Sequence, residues 1–259
     1  MSGAARGQGR AHAVRLAEEG AAVIAFDICR QIGSVPYPMA TPDDLVETVR
    51  QVTSRGGRIL ARHVDVRDSA ALSDLVAEAV DSFGRLDIVI ANAGVGGFAE
   101  NAWSLTDEEW DDMIAINLTG AWKTVRAAAP AMIEGGLGGS IVLTSSADGL
   151  KGTPGNAHYT AAKHGLVGLM RSLAHELAPH SIRVNTVHPS GVETPMIIND
   201  HTAEFMTRHP EVIDSTVSML PVALLGVEDV SNAVLWLCSD EARYITAACF
   251  PVDAGLTQR

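Results

Sequence analysis

The chain has 259 residues, 47% of them apolar, which is enough to bury one full core without dividing; a single domain over 1–259 is expected. Its 31 acidic against 19 basic residues give a formal charge of -12, the wrong sign for a partner with a nucleic-acid backbone or an anionic membrane surface. No apolar run approaches membrane-spanning length and no signal-type segment opens the chain, while Cys29, Cys238 and Cys249 lack the spacing of a disulfide framework or zinc site. A cytoplasmic protein with reduced cysteines is the expectation.

In chain order, β-rich runs at 21–27, 58–66, 86–93, 140–145, 182–188 and 247–252 alternate with amphipathic stretches at 8–19, 42–55, 69–83, 106–132, 157–178 and 228–237. This alternation predicts an α/β fold, a Rossmann-type doubly wound parallel sheet with helices on both faces. Two segments interrupt the rhythm. Residues 28–41 carry Pro36 and Pro38, which delay the next helix until Thr41-Pro42-Asp43-Asp44 supplies an N-cap, a proline at the first helical position and an acidic first turn. Residues 193–226 contain Met196, Met206 and Met219 and lie where a substrate lid is expected, at the C-terminal edge of the sheet.

The start of the chain is unusual for such a sheet. A glycine turn of this kind needs a strand in front of it, yet only Met1 precedes Ser2 and Gly3. The first, central strand is apparently missing, and its absence predicts a gap of two interstrand spacings, roughly 9 to 10 Å, between its neighbours. A start assigned too late is the expectation, with weakened cofactor binding and stability.

Three glycines, Gly3, Gly7 and Gly9, place a tight turn at the head of a helix, where backbone amides can approach a pyrophosphate; Arg6 and Gln8 lie in the same turn. Eighteen residues past Gly9 a strand ends in Asp27. A carboxylate there accepts ribose hydroxyls and repels a 2′-phosphate, so NAD is favoured over NADP. Tyr159 and Lys163 are four apart on a helix and share a face, and an ammonium beside a phenol stabilises the phenolate needed as a general base for an alcohol. Ser146 ends a strand thirteen residues upstream and can hold the reacting oxygen. His158 and His188 adjoin this region without forming a ligand pattern, so no metal is expected. Trp103, Trp110, Trp122 and Trp236 read as core or subunit contacts.

Together, Gly3-x-x-x-Gly7-x-Gly9, Asn92-Ala93-Gly94, Asn117, Ser146, Tyr159-x-x-x-Lys163 and Pro189-x-Gly191 resemble the short-chain dehydrogenase/reductase family over nearly the whole chain. The resemblance implies Tyr159 as acid/base, Lys163 as the group that lowers its pKa and binds the nicotinamide ribose, and Ser146 as orienter of the substrate oxygen. It implies that Asn117 holds a water in a proton relay behind the lysine. It further implies that Ile28, Asp65 and Val66 flank the adenosine, that Asn92, Ala93 and Gly94 form a turn against its ribose, and that Pro189, Gly191, Val192 and Thr194 contact the nicotinamide side. Departures include Ser2 for threonine, Ala91 before Asn92, Ser190 for glycine, and Ala247 where glycine is usual before the last strand.

A narrower likeness, carried by residues 3–21, the proline-bearing insert, 188–196 and 251–255, is to the actinobacterial carveol-dehydrogenase-like, mycofactocin-associated group. It implies that 28–41 covers a bound NAD, which a mycofactocin-type redox carrier reoxidises in place, that the substrate is a small-molecule alcohol or ketone, and that the protein is a homotetramer. Two other readings stay open: an NADPH-dependent 3-oxoacyl reductase, and a catalytically silent NAD-binding sensor.

Overall fold

A computed structural model describes residues 1–259. Six parallel strands alternate with helices as the pattern predicts. α1 (Gly7–Glu18) leads to β1 (Val23–Asp27), α2 (Pro42–Thr53), β2 (Ile59–His63), α3 (Ser69–Phe83) and β3 (Ile88–Ala91). There follow α4 (Asp107–Ile114), α5 (Gly120–Gly135), β4 (Gly139–Thr144), α6 (Ala157–Leu177), β5 (Ile182–Pro189), α7 (Asp200–Arg208), α8 (Pro210–Ile213), α9 (Val227–Cys238) and β6 (Cys249–Val252). No helix is long and apolar enough to cross a membrane.

The local signals act as their chemistry requires. Thr41 and Asp44 form a reciprocal capping box at the head of α2 with Pro42 in its first turn, and Asp68 caps α3 through the amides of Ala70 and Ala71. The stretch expected as one helix over 106–132 is α4 and α5 joined by a π-helical turn at Ala115–Thr119, which carries Asn117, and α5 continues through Pro130 to Gly135.

The strands form two sheets, β1-β2 and β3-β4-β5-β6. Inner strands are apolar on both faces, as parallel sheets demand. Ile141 and Leu143 of β4 face α5 and α6 with Met132, Leu166 and Met170, and Val142 faces α1 and α9 with Leu16, Val230 and Val234; all are buried. Between β1 and β3 the sheet is open. Met1 and Ser2 are all that bridges it, with Ser2 paired to Phe26 and its amide donating to Ile90 O at 3.1 Å. β1 and β3 are thus not paired with each other, and Met1 and Ser2 lie between their C-terminal ends.

Candidate active site

The glycine turn is locked against the end of β3. Ser2 Oγ accepts the amides of Asn92 and Ala93 at 3.0 and 2.9 Å, the same service the expected threonine would give. A Cβ on Gly9 would lie 2.0 Å from Gly3 O, so only glycine lets the turn close. Arg6 precedes α1 without a side-chain cap, and the first-turn amides are left to an anion. Gln8 Oε1, buried in the same wall, has no partner. The glycine turn and the free first-turn amides therefore fit the pyrophosphate of a dinucleotide. Asp27 closes the neighbouring wall, its carboxylate accepting the amides of Ala5 and Cys29 at 3.1 Å each.

Every predicted site residue but one lines a single cleft of about 550 Å3 at the C-terminal ends of the strands. Gly3, Arg6, Gly7, Gln8, Gly9, Asp27, Ile28, Asp65 and Val66 lie on its walls, as do Asn92, Ala93, Gly94, Ser146, Tyr159, Lys163, Pro189, Gly191, Val192 and Thr194. Asn117 stands behind the wall. Its Oδ1 accepts the Val95 amide at 3.1 Å and its Nδ2 donates to Val95 O and Met113 O. Gly94 separates it from the lysine: a Cβ there would sit 2.5 Å from Asn117 Oδ1 and 3.5 Å from Lys163 Nζ.

Residues 28–41 fold over the cleft with Ile32, Tyr37 and Met39 in its wall. Four clamps hold them. Arg6 Nη2 donates to Pro38 O at 2.6 Å, so this base is spent on the insert and not left in solvent. The Gly96 amide donates to the buried Tyr37 hydroxyl at 3.2 Å, Ser34 Oγ donates to Asp112 at 2.6 Å, and Arg30 lies 3.8 Å from Asp65. Asp65 and Asp112 share Arg67 at 2.8 Å each. Burial pushes the Asp65 carboxyl up, but the Arg67 hydrogen bonds outweigh it and hold the group below its ordinary value.

The side chains expected to be catalytic stand where the end of β4 meets α6. Ser145 and Ser146 follow β4; Ser145 Oγ donates to Lys163 O at 3.0 Å and ties the strand end to α6, while Ser146 Oγ accepts the Asp148 amide at 3.1 Å. His188 supports the loop from beneath, one ring nitrogen 2.8 Å from Ser146 O and the other 2.8 Å from Thr186 Oγ1. Burial holds it neutral, with its pKa down to about 4. Lys163 Nζ donates to Thr144 O at 2.8 Å and sits 5.3 Å from the centre of the Tyr159 ring.

The two side chains converge, but the expected ionisation does not follow from the protein alone. Burial pushes the Tyr159 phenol up, helped by the Asp148 charge and only partly opposed by a Ser146 hydrogen bond. The same burial pushes Lys163 down to about 7. Burial thus works against charge on both groups, with the lysine set beside the face of the tyrosine ring.

Beyond this set the cleft is walled by residues that the motifs did not single out. Phe98 lines it and stacks on Phe205 of α7, ring centres 4.6 Å apart, which anchors the segment 193–226. Met196, Met206, Ile213 and Leu224 add apolar surface. Asp148 is the one carboxylate at this end, held by Thr153 Oγ1 at 2.6 Å and Asn156 Nδ2 at 2.7 Å, and burial raises its pKa. Nothing in its spacing marked it in the sequence.

A glycine turn at a helix head, a carboxylate ending the next strand, and serine, tyrosine and lysine at one strand edge define a dinucleotide-dependent oxidoreductase. The family model described as enoyl-(acyl carrier protein) reductase matches residues 3–257. The (-)-trans-carveol dehydrogenase of Rhodococcus erythropolis is 50% identical over 265 residues, covering 99% of this chain and 95% of that protein. Two crystal structures superpose with a TM-score of 0.95 at 50% identity: a carveol dehydrogenase from Mycobacterium avium in complex with NAD, and a short chain dehydrogenase from Mycobacterium paratuberculosis bound to NAD. Each covers all of this chain, which spans 96% and 97% of theirs. The chain belongs to the short-chain dehydrogenase/reductase family.

Proposed function

We propose that this protein transfers a hydride between NAD and a small secondary alcohol or its ketone, with a compact, terpenoid-like substrate of the carveol kind. The observation that carries the reading is the meeting of Ser146, Tyr159 and Lys163 in one cleft whose far wall ends in Asp27. Asp27 suits two free ribose hydroxyls and opposes a 2′-phosphate, which favours NAD over the NADPH of a 3-oxoacyl reductase. The intact serine, tyrosine and lysine argue against a silent sensor. Apolar walls from Phe98, Met196 and Met206 suit a hydrocarbon ring better than a charged or extended substrate.

In this reading Ser146 Oγ holds the substrate oxygen and Tyr159 Oη takes its proton, while the carbinol hydride leaves with its electron pair. NAD supplies the acceptor for that pair and, in its oxidised form, a positive charge. That charge bears on the protonation problem, because a cation near Tyr159 favours the phenolate where the lysine alone is too desolvated to do so. Lys163 then serves ribose binding and passes the proton onward past Gly94 to the Asn117 turn. Reduction runs the same path backwards, with Tyr159 donating. Replacing Tyr159 by Phe removes the only proton acceptor on the substrate oxygen, so turnover should fall by about 10³-fold or more with NAD affinity retained. Residual activity within tenfold of the parent removes the assignment.

The clamps on residues 28–41 support the finer part of the proposal: the insert closes over the dinucleotide, NAD exchanges slowly, and a separate mycofactocin-type carrier reoxidises it in place. Residues 193–226 act as the substrate lid within one domain. The half-exposed Trp110 on α4 and Trp122 on α5 suit subunit contacts of a homotetramer working in the cytoplasm. A panel of terpenoid, steroid and aliphatic alcohols, assayed with free NAD and with an artificial electron acceptor, tests substrate and exchange together.

A further inference from the structure

Asp148 has no part in the hydride-transfer reading, yet it stands in the same cleft as Ser146, Tyr159 and Lys163. It lies on the short turn Ala147–Gly149, and its amide donates to Ser146 Oγ at 3.1 Å, which fastens residue 148 beside the hydroxyl that holds the reacting oxygen. A carboxylate taken out of water ordinarily faces a cation. The side-chain partners of Asp148 are both neutral: Thr153 Oγ1 at 2.6 Å and Asn156 Nδ2 at 2.7 Å. The nearby lysines are engaged elsewhere, Lys151 Nζ donating to Ser215 O at 2.7 Å and Lys163 Nζ to Thr144 O at 2.8 Å.

Two neutral donors leave the carboxylate incomplete, because it has about four acceptor positions. One of those donors is drawn from its usual work. Asn156 stands at the N-cap of α6 without capping it and turns Nδ2 to Asp148, and its own buried Oδ1 has no donor. The turn that carries Thr153 and Asn156 is itself fixed: Ala99 N donates to Gly155 O at 2.9 Å, and a Cβ on Gly155 would lie 2.6 Å from Phe205 Cζ. Acceptor capacity held this firmly, in a cleft otherwise walled by Phe98, Met196 and Met206, suits a neutral donor on a hydrocarbon ligand. An ammonium would have to leave water for those apolar walls.

We propose that Asp148 is a specificity-determining residue whose carboxylate accepts a hydrogen bond from a second hydroxyl on the substrate ring while Ser146 holds the reacting oxygen, so that the preferred substrates are cyclic diols and the matching hydroxy ketones. The inference rests on the alcohol–ketone reading of the same cleft. Only the carbinol at Ser146 is oxidised, its hydride passing to NAD and its proton to Tyr159; the second hydroxyl is unchanged. A site built to receive a hydroxyl rejects the analogue that lacks it, because its acceptor is then desolvated and short of a partner. Were Asp148 only a fastener of the turn through Thr153 and Asn156, it would serve every substrate alike.

The test compares the full chain with Asp148→Asn, which keeps an acceptor for Thr153 and, with the Asn156 amide turned over, a bond to that residue, but loses the charge and one acceptor oxygen. Cyclohexanol and the cyclohexane-1,2-, 1,3- and 1,4-diols are titrated into NAD-loaded protein by calorimetry and assayed for turnover, each diol being read as a ratio to cyclohexanol. The ratio cancels the effect of the Asp148 charge on Tyr159, which falls on every substrate. At least one diol should be favoured by about tenfold or more in affinity and in kcat/KM in the parent, and by less than about threefold in Asp148→Asn. A parent preference below threefold, no measurable binding of any diol included, overturns the proposal. So does a preference that survives in Asp148→Asn, or tighter binding of trans-2-aminocyclohexanol than of every diol, since the ligand is then an ammonium. Equal turnover of cyclohexanol and the diols overturns this inference and leaves the alcohol reading standing. Absence of turnover with all of them counts against the alcohol reading, and the binding ratio still decides the role of Asp148.

Discussion

From β3 to β6 the sheet is knit by continuous parallel ladders, and Ser146, Tyr159 and Lys163 stand on strand ends and on the helix packed against them. The β1–β2 pair, with the insert that follows β1, joins the rest through Met1, Ser2 and the clamps of Arg6, Arg30, Ser34 and Tyr37. One half is thus knit by continuous backbone ladders, and the other is held by core packing of Phe26, Val66 and Leu72 against Met113 and Ile116 and by side chains at the rim of the cleft. Proton transfer needs atoms fixed to fractions of an ångström, which continuous ladders provide better than separate side-chain contacts.

Four perturbations would sharpen or break this contrast. The largest effect is expected from the buried lysine. Its folded pKa of about 7 lies below the ordinary 10.5. Below pH 7 both folded and unfolded chains are protonated and the folded state bears the whole cost of burying the charge. Between pH 7 and 10.5 the folded state has released a proton that the unfolded chain still holds, so stability rises with pH, by roughly 5 kcal/mol across the window. Lys163→Met should remove about one proton from the slope of unfolding free energy against pH in cofactor-free protein. An unchanged slope would mean that water reaches the amine.

Next in size is Gly94→Ala, whose Cβ would press on Asn117 Oδ1 at 2.5 Å within the rigid half. Denaturant unfolding should show a loss of about 2 kcal/mol, and kcat should fall as the displaced Asn117 turn shifts the wall beside Lys163. A neutral result would show the π-turn to be pliable. In the clamped half, Tyr37→Phe leaves the Gly96 amide without its acceptor. The local cost is about 1 to 2 kcal/mol, and stopped-flow displacement should show NAD leaving several-fold faster with kcat little altered. Unchanged release would break the link between insert and cofactor. The smallest effect is expected at Ala247, whose φ of 58° lies in the left-handed region just before β6. Ala247→Gly should raise stability by about 0.5 to 1 kcal/mol, relief of strain being offset in part by the looser unfolded chain.

The sequence already contained most of this site, because the groups that carry it are local or type-specific. Glycines that tolerate no Cβ, a tyrosine and lysine one turn apart, and a serine at a strand end announce themselves by spacing. Phe98 and Phe205 were not legible, since they meet only through the fold from distant parts of the chain, and Asp148 was not because any loop can hold such a carboxylate with a nearby threonine and asparagine. Arg6 also donates to a carbonyl of the insert 32 residues away, a contact that its place in the glycine turn does not signal.

By itself the sequence determined the βα alternation, the layered core and the set of residues that the fold gathers in one cleft. These follow from periodicity and from residue chemistry that no distant contact can change. The tertiary structure decided the burial of Tyr159 and Lys163, the contacts that hold the insert, and the apolar walls of the cleft. All three depend on how much water is excluded around groups far apart in the chain, a quantity no local pattern encodes.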